Sequence, residues 1–202
     1  MFTGIIQKVV KIKKSERRED TLVLTIATPR GWKLKLGDSI ATDGVCLTVT
    51  KIGRGWYQTE LMEETLERTT FGHHVPDKVN LERSLRPIDF LDGHMVQGHV
   101  DCVGEIVKVK GERLKVKSTT ERRSLLYAIR FPKKYSKLIV EKCSIAMDGI
   151  SMTVVDARRD WFSVALIPFT LTHTTIGAKE VGDLVNLEFD VIAKYVKRLL
   201  VD

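Results

Sequence analysis

The 202-residue sequence predicts an all-β chain: two tandem six-stranded antiparallel barrels from an internal duplication, then a C-terminal α-helix. Three observations lead there. First, Gly37-Asp-Ser-Ile-Ala-Thr-Asp-Gly-Val-Cys-Leu-Thr-Val-Thr50 returns 105 positions later as Lys142-Cys-Ser-Ile-Ala-Met-Asp-Gly-Ile-Ser-Met-Thr-Val-Val155. Leu61–Gly72 returns at the same offset as Leu166–Gly177, and Val79-Asn-Leu-Glu82 returns one residue later as Val185-Asn-Leu-Glu188. Two copies of about a hundred residues are too long and too few for a solenoid. Second, apolar and polar residues alternate over short stretches rich in β-branched side chains, the period of half-buried strands. Third, a single stretch near the C-terminus switches to helical spacing and has no counterpart in either copy.

In chain order, Thr21–Thr28 reads as a strand that stops at Pro29. Ser39–Thr42 and Cys46–Ile52 flank Asp43-Gly44, a dipeptide that favours tight turns between strands. Gly53-Arg-Gly55 marks a further turn before the strand Trp56–Leu61. Glu63–Thr70 reads as one or two helical turns ended by Gly72, and Val79–Glu82 closes the first set of strands. Ser84–Asp92, with Pro87 inside, is the linker. The second copy starts near Met95, whose segment matches Met1-Phe-Thr-Gly-Ile-Ile at an offset of 94. Leu125–Pro132 repeats the pattern of Leu22–Pro29. Short strands with few long connections suit small closed barrels, in which closure removes exposed sheet edges. After Asp190, a residue suited to an N-cap, apolar residues fall at Val191, Ile192, Tyr195, Val196, Leu199 and Leu200. This unmatched stripe reads either as packing on its own barrel or as an oligomer contact. The expected units are 1–90, 91–189 and 190–202.

Composition narrows the function classes. Hydrophobic content of 43% and charged content of 29% are ordinary for a soluble globular chain. The net charge of +7 is spread over Lys11–Lys14, Arg17–Arg18, Lys33, Lys35, Lys108–Lys117, Arg122–Arg123 and Lys133–Lys137. These clusters read as solvated loops and helix faces. A basic barrel that binds nucleic acid is a competing class. However, its aromatic stacking platform is missing, since aromatic residues make up only 7% and are scattered. Cys46, Cys102 and Cys143 are odd in number and form no CxxC pair, which speaks against a disulfide framework and a zinc site. The amino terminus lacks the basic and apolar regions of a secretory signal, and no apolar run approaches the roughly 20 residues of a membrane helix. A cytoplasmic protein is expected.

The differences between the copies single out residues for chemistry. Cys46 is matched by Ser151, Ile5 by His99 and Glu64 by Phe169. Shared hydroxyls at Ser39/Ser144, Thr48/Thr153 and Thr65/Thr170 suit a ligand with several hydroxyl or carbonyl groups. The plainer alternatives are solvent-facing strand threonines and caps of helical turns. His99, in Gly98-His-Val-Asp101, can exchange protons near neutrality. His73, His74, His94 and His173 show that histidine also occurs elsewhere in this chain, so a structural role is the alternative. Cys46 is either a small buried apolar group or, beside positive charge, a thiolate. No Ser-His-Asp ordering, phosphate-binding glycine loop or metal-ligand cluster is present. Spacing alone stops at two related barrels that bind something polar.

Six blocks, in order and correctly spaced, carry a family resemblance: Met1-Phe-Thr-Gly-Ile-Ile, Asp43-Gly-Val-Cys-Leu-Thr-Val, Leu61-Met-Glu-Glu-Thr-Leu, Gly93-His-Met-Val-Gln-Gly-His-Val-Asp101, Asp148-Gly-Ile-Ser-Met-Thr-Val and Leu166-Ile-Pro. Together they resemble the riboflavin synthase family. The resemblance spans essentially the whole chain. It implies two six-stranded Greek-key barrels and a C-terminal helix that gathers three subunits. It also implies the exchange of a four-carbon unit between two molecules of 6,7-dimethyl-8-ribityllumazine, giving riboflavin and a ribitylaminouracil without metal or cofactor. In the family the N-terminal barrel of one subunit faces the C-terminal barrel of the next. Carried over by motif, one pocket is Gly4, Ile5, Ile6, Cys46, Leu47, Thr48 and Glu60, Leu61, Met62, Glu63, Glu64, Thr65. The other is Gly98, His99, Val100, Lys142, Ser151, Met152, Thr153 and Leu166, Ile167, Pro168, Phe169, Thr170, Leu171. His99, Cys46 and Ser39 are the implied catalytic set. Phe169 departs from the glutamate common in the family. A non-catalytic relative, the fluorescent lumazine protein, lacks the cysteine and histidine matching Cys46 and His99. The implied partners are the lumazine substrate, further copies of the chain in a homotrimer and lumazine synthase, with neither nucleic acid nor membrane.

Overall fold

The computed structural model describes residues 1–111 and 125–200. The first half runs through β1 (Lys8–Arg18), β2 (Thr21–Ala27), β3 (Ser39–Thr42), β4 (Val45–Thr48), β5 (Lys51–Gly53) and β6 (Trp56–Met62). It continues with α1 (Glu63–Arg68), a 3₁₀ turn at Thr70–Gly72 and β7 (Lys78–Arg83). The second half repeats this order with β8 (Cys102–Lys110), β9 (Leu125–Arg130), β10 (Ser144–Met147), β11 (Ile150–Ala157) and β12 (Trp161–Leu166). It then forms α2 (Pro168–His173), a 3₁₀ turn at Thr175–Ala178 and β13 (Leu184–Phe189), and α3 (Val191–Leu200) follows.

The second half is a closed barrel in the order β10-β11-β12-β9-β8-β13. The first half follows the corresponding order as a seven-stranded sheet, β4-β3-β7-β1-β2-β6-β5. Its outermost strands are successive pieces of one segment, so β4 and β5 together stand where β11 is continuous. Thr50 N donates to Gln58 O at 2.9 Å across the break, and β4 lies against β6. Six expected strands become seven here because the chain leaves the ladder between Thr48 and Lys51.

β1 corrects the charge reading. The sequence assigns Lys11–Lys14 and Arg17–Arg18 to loops or helix faces, but they lie on an 11-residue strand. Val10 and Ile12 pack onto the core while the lysines face outward. Lys108 and Lys110 likewise lie on β8, whereas Lys115, Lys117, Arg122 and Arg123 fall outside the described residues. β1 serves two neighbours, pairing Val10 with Val79 of β7 and Ile12 with Ile26 of β2. A register shift between Ile12 and Lys14 bends it, and β8 has the matching shift between Ile106 and Lys108. Such bulges increase local twist and turn barrel corners.

Each barrel has its own core, centred on Leu24, Ile26, Tyr57 and Leu81 in the first and Tyr127, Ile129, Phe162 and Leu187 in the second. Phe2, Ala41, Val96 and Ala146 form a small apolar layer between them. Beside that layer the two Asp-Gly turns meet. Asp43 (φ 43°) with Gly44 (φ 79°) and Asp148 (φ 47°) with Gly149 (φ 76°) adopt the left-handed geometry of tight hairpins. A Cβ on Gly44 would sit 2.6 Å from Gly149 N, and one on Gly149 would sit 2.8 Å from Gly44 N.

Side chains complete this joint reciprocally. Asn80 N donates to Asp43 Oδ1 and Asn186 N to Asp148 Oδ1, both at 2.7 Å. Asn80 Nδ2 crosses to Asp148 O at 3.0 Å, and Asn186 Nδ2 crosses to Asp43 O at 2.8 Å. The amide oxygens accept from the opposite 3₁₀ turns, Thr175 N to Asn80 and Thr70 N to Asn186, each at 2.8 Å. The one departure from symmetry is electrostatic. Lys179 Nζ lies 2.9 Å from Asp148 Oδ2, while His74 stands at the matching place in the first copy. Burial and the neighbouring Asp148 charge hold the Asp43 carboxyl well above the usual carboxylate range.

Gly44→Ala should therefore cost far more stability than Gly55→Ala. Both glycines have positive φ, worth roughly 1–3 kcal/mol of strain in a non-glycine residue, but Gly55 has nothing within 4 Å of an added Cβ. Thermal unfolding of both variants checks this, and equal losses would show that the turns do not touch.

Candidate functional site

The first copy's predicted residues come from the outward face of β3 and β4 and from the β6–α1 corner. Ser39 faces Thr48 across the ladder, and Cys46 faces Ala41. Strand alternation turns Leu47 into the core and leaves Cys46 half-buried and Thr48 exposed. β4 lies against β6, which brings Glu60, Leu61, Met62, Glu63, Glu64 and Thr65 alongside. Of these, Leu61 is buried, Thr65 is half-buried and the others are exposed. The second copy repeats the layout, with Ser144 opposite Thr153 and Ser151 opposite Ala146. Met152 and Leu166 are buried, whereas Thr153, Ile167, Pro168 and Phe169 are exposed. Thr65 and Thr170 do not cap the short helices; Met62 and Ile167 occupy the caps without side-chain hydrogen bonds.

The arms that precede each barrel are exchanged, which corrects the grouping carried over by motif. Cys46 N donates to Gly98 O at 2.9 Å, and Val100 belongs to the first barrel's core. Ser151 N donates to Gly4 O at 2.8 Å, and Ile6 packs on the second barrel's core. Gly98, His99 and Val100 therefore sit with Cys46, and Gly4, Ile5 and Ile6 sit with Ser151. Glycine is required at both crossings. Added Cβ atoms on Gly4 and Gly98 would lie 2.6 Å from the Cβ atoms of Ser151 and Cys46. Each arm is held by a carboxylate of its own barrel. Glu82 accepts from Thr3 N (2.7 Å) and Gly4 N (2.9 Å), and Glu188 accepts from Gln97 N (2.6 Å) and Gly98 N (2.8 Å). Burial raises both carboxyls above their usual range despite these amide donors.

The two sites are alike in frame and unequal in chemistry. The first brings together Cys46, the exposed His99 and the paired hydroxyls Ser39 and Thr48. The second sets Ser151 and Ile5 in the places of Cys46 and His99. Ser151 Oγ is 2.7 Å from His94 Nδ1, a contact the sequence reading passed over because His94 has no counterpart in the first copy. Burial lowers the His94 imidazole below its usual range, against the opposing charge of Asp190. Lys142 has φ 67°, the left-handed backbone that its match Gly37 adopts at φ 85°. A lysine held there stores strain of the kind found at functional positions. At the helix corners Glu64 pairs with Arg68 at 3.3 Å, while Phe169 stacks on the His173 ring at 3.9 Å. Of the remaining cysteines, burial pushes the Cys102 thiol up to about 12, which leaves it no nucleophilic role. A cleft of about 620 Å³ between β1 and the Thr172–Lys179 segment contains none of the predicted site residues.

This geometry can be set beside known proteins. A family model described as the lumazine binding domain matches residues 3–84 and again residues 97–190. The riboflavin synthase of Actinobacillus pleuropneumoniae is 41% identical, covering 99% of this chain and 90% of that protein. The riboflavin synthase of Mycobacterium bovis is 43% identical, covering 99% and 98%.

The chain belongs to the riboflavin synthase family. The riboflavin synthase of Bacillus subtilis is a further relative at 34% identity over 99% of this chain and 90% of its own length. Among solved structures, LumP complexed with riboflavin superposes with a TM-score of 0.80 at 27% identity, covering 94% of this chain and 99% of that one. LumP complexed with 6,7-dimethyl-8-(1'-D-ribityl) lumazine gives 0.79 at 24% identity, over 93% and 98%, a likeness of fold. The lumazine binding domain match is thus doubled along the chain, as the two crossed frames are. No helix among the described residues is long and apolar enough to cross a membrane.

The His94–Ser151 contact has a pH signature. A histidine whose folded pKa is depressed binds fewer protons folded than unfolded, so its neutral form stabilises the fold above the usual value of about 6.5 and that stability is lost as pH falls. His94→Gln should flatten the acid side of the stability curve between about pH 7 and 5, measured by denaturant titration at each pH. An unchanged slope would place His94 in solvent.

Proposed function

We propose that the chain catalyses the dismutation of two 6,7-dimethyl-8-ribityllumazine molecules, passing a four-carbon unit from one to the other to give riboflavin and 5-amino-6-ribitylaminouracil. One observation carries this reading: two sites built on one frame differ at the positions that hold proton-transfer and nucleophilic groups, Cys46/Ser151 and His99/Ile5. A reaction between two copies of one molecule in opposite roles calls for that combination. Shared features bind the common ring and ribityl chain, and unequal features assign donor and acceptor.

In this reading His99, Cys46 and Ser39 serve the chemistry. The 7-methyl group of one lumazine loses a proton and the other ring takes a nucleophile, steps that an imidazole and a thiol or hydroxyl can serve. Backbone groups of the crossing arms read the ring edge, and Thr48/Thr153 and Thr65/Thr170 face the ribityl hydroxyls. Lys142 supplies positive charge beside the second ring. Holding both rings in register converts a bimolecular step into an effectively unimolecular one. The facing site belongs to a neighbouring subunit, and α3 gathers three copies. Ile192, Tyr195, Val196, Leu199 and Leu200 are all exposed on it, and none of its residues is buried within the chain. The units 1–90, 91–189 and 190–202, a cytoplasmic setting and lumazine synthase as a protein partner complete the proposal. The exchange balances without oxidant or reductant, since the two products together contain the atoms of the two substrates.

The test is incubation of the purified protein with 6,7-dimethyl-8-ribityllumazine, followed by absorbance and product analysis. The expected result is equimolar riboflavin and ribitylaminouracil. Binding without turnover would instead assign the chain to the non-catalytic lumazine proteins.

His99→Ala and Cys46→Ser should each lower single-turnover rate, by about 10²–10⁴-fold for a positioned acid or base, while lumazine still binds. Weaker binding with a normal rate at saturation would reduce these residues to pocket lining. Cys46→Ser asks in addition whether the thiol is needed, since Ser151 already holds a hydroxyl at the matching place.

A chain ending at Phe189 should run as a monomer by light scattering, bind ligand and turn over poorly. A trimeric truncation would remove α3 from the assembly.

A further inference from the structure

The arms bearing Ile5 and His99 are anchored differently, although their frames match. Gln7 and Asp101 occupy the same place two residues after Ile5 and His99, and their amides donate to Leu81 O and Leu187 O, each at 2.9 Å. On the Ile5 side the anchor is neutral and long: Arg83 N donates to Gln7 Oε1 at 3.4 Å. On the His99 side it is charged and short. Phe189 N donates to Asp101 Oδ2 at 2.9 Å, and Lys194 Nζ lies 2.6 Å from the same oxygen. Tyr135 Oη donates to Asp101 O at 2.8 Å, and its ring stacks on Phe189 at 5.2 Å. The two charged side chains are only 25% and 17% exposed, so the pair is shielded from the screening that weakens surface ion pairs.

Lys194 is on α3, and this ties α3 to His99. Besides this ion pair, α3 touches its own barrel through partly buried Ala193 and lies against the 3₁₀ turn Lys133–Leu138. From Lys194 the connection runs to Asp101, through Val100 in the first barrel's core, to His99 beside Cys46. We propose that Asp101 and Lys194 are positioning residues for His99, so that the docking of α3 sets the reach of the histidine in the first site. The inference rests on the role given to His99 above. Glu188 fixes the arm before His99 and the Asp101–Lys194 pair fixes it after, leaving the imidazole on a short segment clamped at both ends. A displacement of about 1 Å at such a group can cost on the order of 10²-fold in rate.

The experiment uses the intact chain. Lys194→Met keeps the aliphatic stem and removes the charge, and Lys194→Arg keeps both. Each variant is measured for melting temperature, assembly mass, kcat and KM with 6,7-dimethyl-8-ribityllumazine, and the His99 ring resonance assigned by its loss in His99→Ala. The expected result for Lys194→Met is a kcat lower by about 10- to 100-fold, little change in KM and a shifted His99 resonance. Melting temperature and mass should match the parent, and Lys194→Arg should restore rate and resonance. An unmoved resonance and rate, or a loss of rate that follows lost melting temperature or mass, would overturn the proposal. If His99→Ala itself turns over normally, the role given to His99 fails, whereas a resonance that still shifts in Lys194→Met upholds the positioning.

Discussion

Everything in this molecule depends on two hairpin turns being buried against each other. Asp43-Gly44 and Asp148-Gly149 approach so closely that neither glycine has room for a Cβ. Burial on that scale strands backbone groups that would each cost about 1–3 kcal/mol if left unpaired. Asn80 and Asn186 answer that cost by reaching into the opposite copy with both ends of the amide. The same contacts hold β3, β4, β10 and β11 in place, and with them Cys46 and Ser151. The joint thus serves as a structural keystone and as the reference frame for both candidate sites.

A duplicated frame is a convenient place to build inequality, because each departure from symmetry stands against a matching position. The departures here are electrostatic. Two carboxylates meet at the joint but one ammonium, Lys179, attends them, so the pair is served asymmetrically. Burial works against that ammonium, yet the Asp148 and Asp43 charges outweigh it and hold it above the usual lysine range. Cys46 with His99, against Ser151 with Ile5, repeats the theme at the sites. Glu64–Arg68 against Phe169–His173 repeats it at the helix corners, where one site presents an ion pair and the other an aromatic stack.

The sequence was most legible where local physics alone decides. Asp-Gly turns, the period-2 strands Thr21–Ala27 and Trp56–Met62, and the Asp190 cap of α3, whose carboxylate accepts from Ile192 N at 2.9 Å, all follow from near neighbours. β1 was harder because its lysines hide the alternation of Val10 and Ile12, and a bulge then breaks the period. The membership of each site was illegible for a different reason. Gly4 and Gly98 stand in sequence beside their own barrels, and only long-range pairing shows that each delivers its carbonyl to the other barrel's strand. His94 was passed over because comparison of the copies finds only residues that have a counterpart.

The crossing of the arms also has a consequence for how such a chain can change over time. A repeat ordinarily diverges as a unit, its own residues adjusting to one another. Here residues 4–6 are read out at Ser151 and residues 98–100 at Cys46, so neither half owns its site. Compensating substitutions in related chains should therefore link positions in opposite repeats, and each half carries part of the other's history.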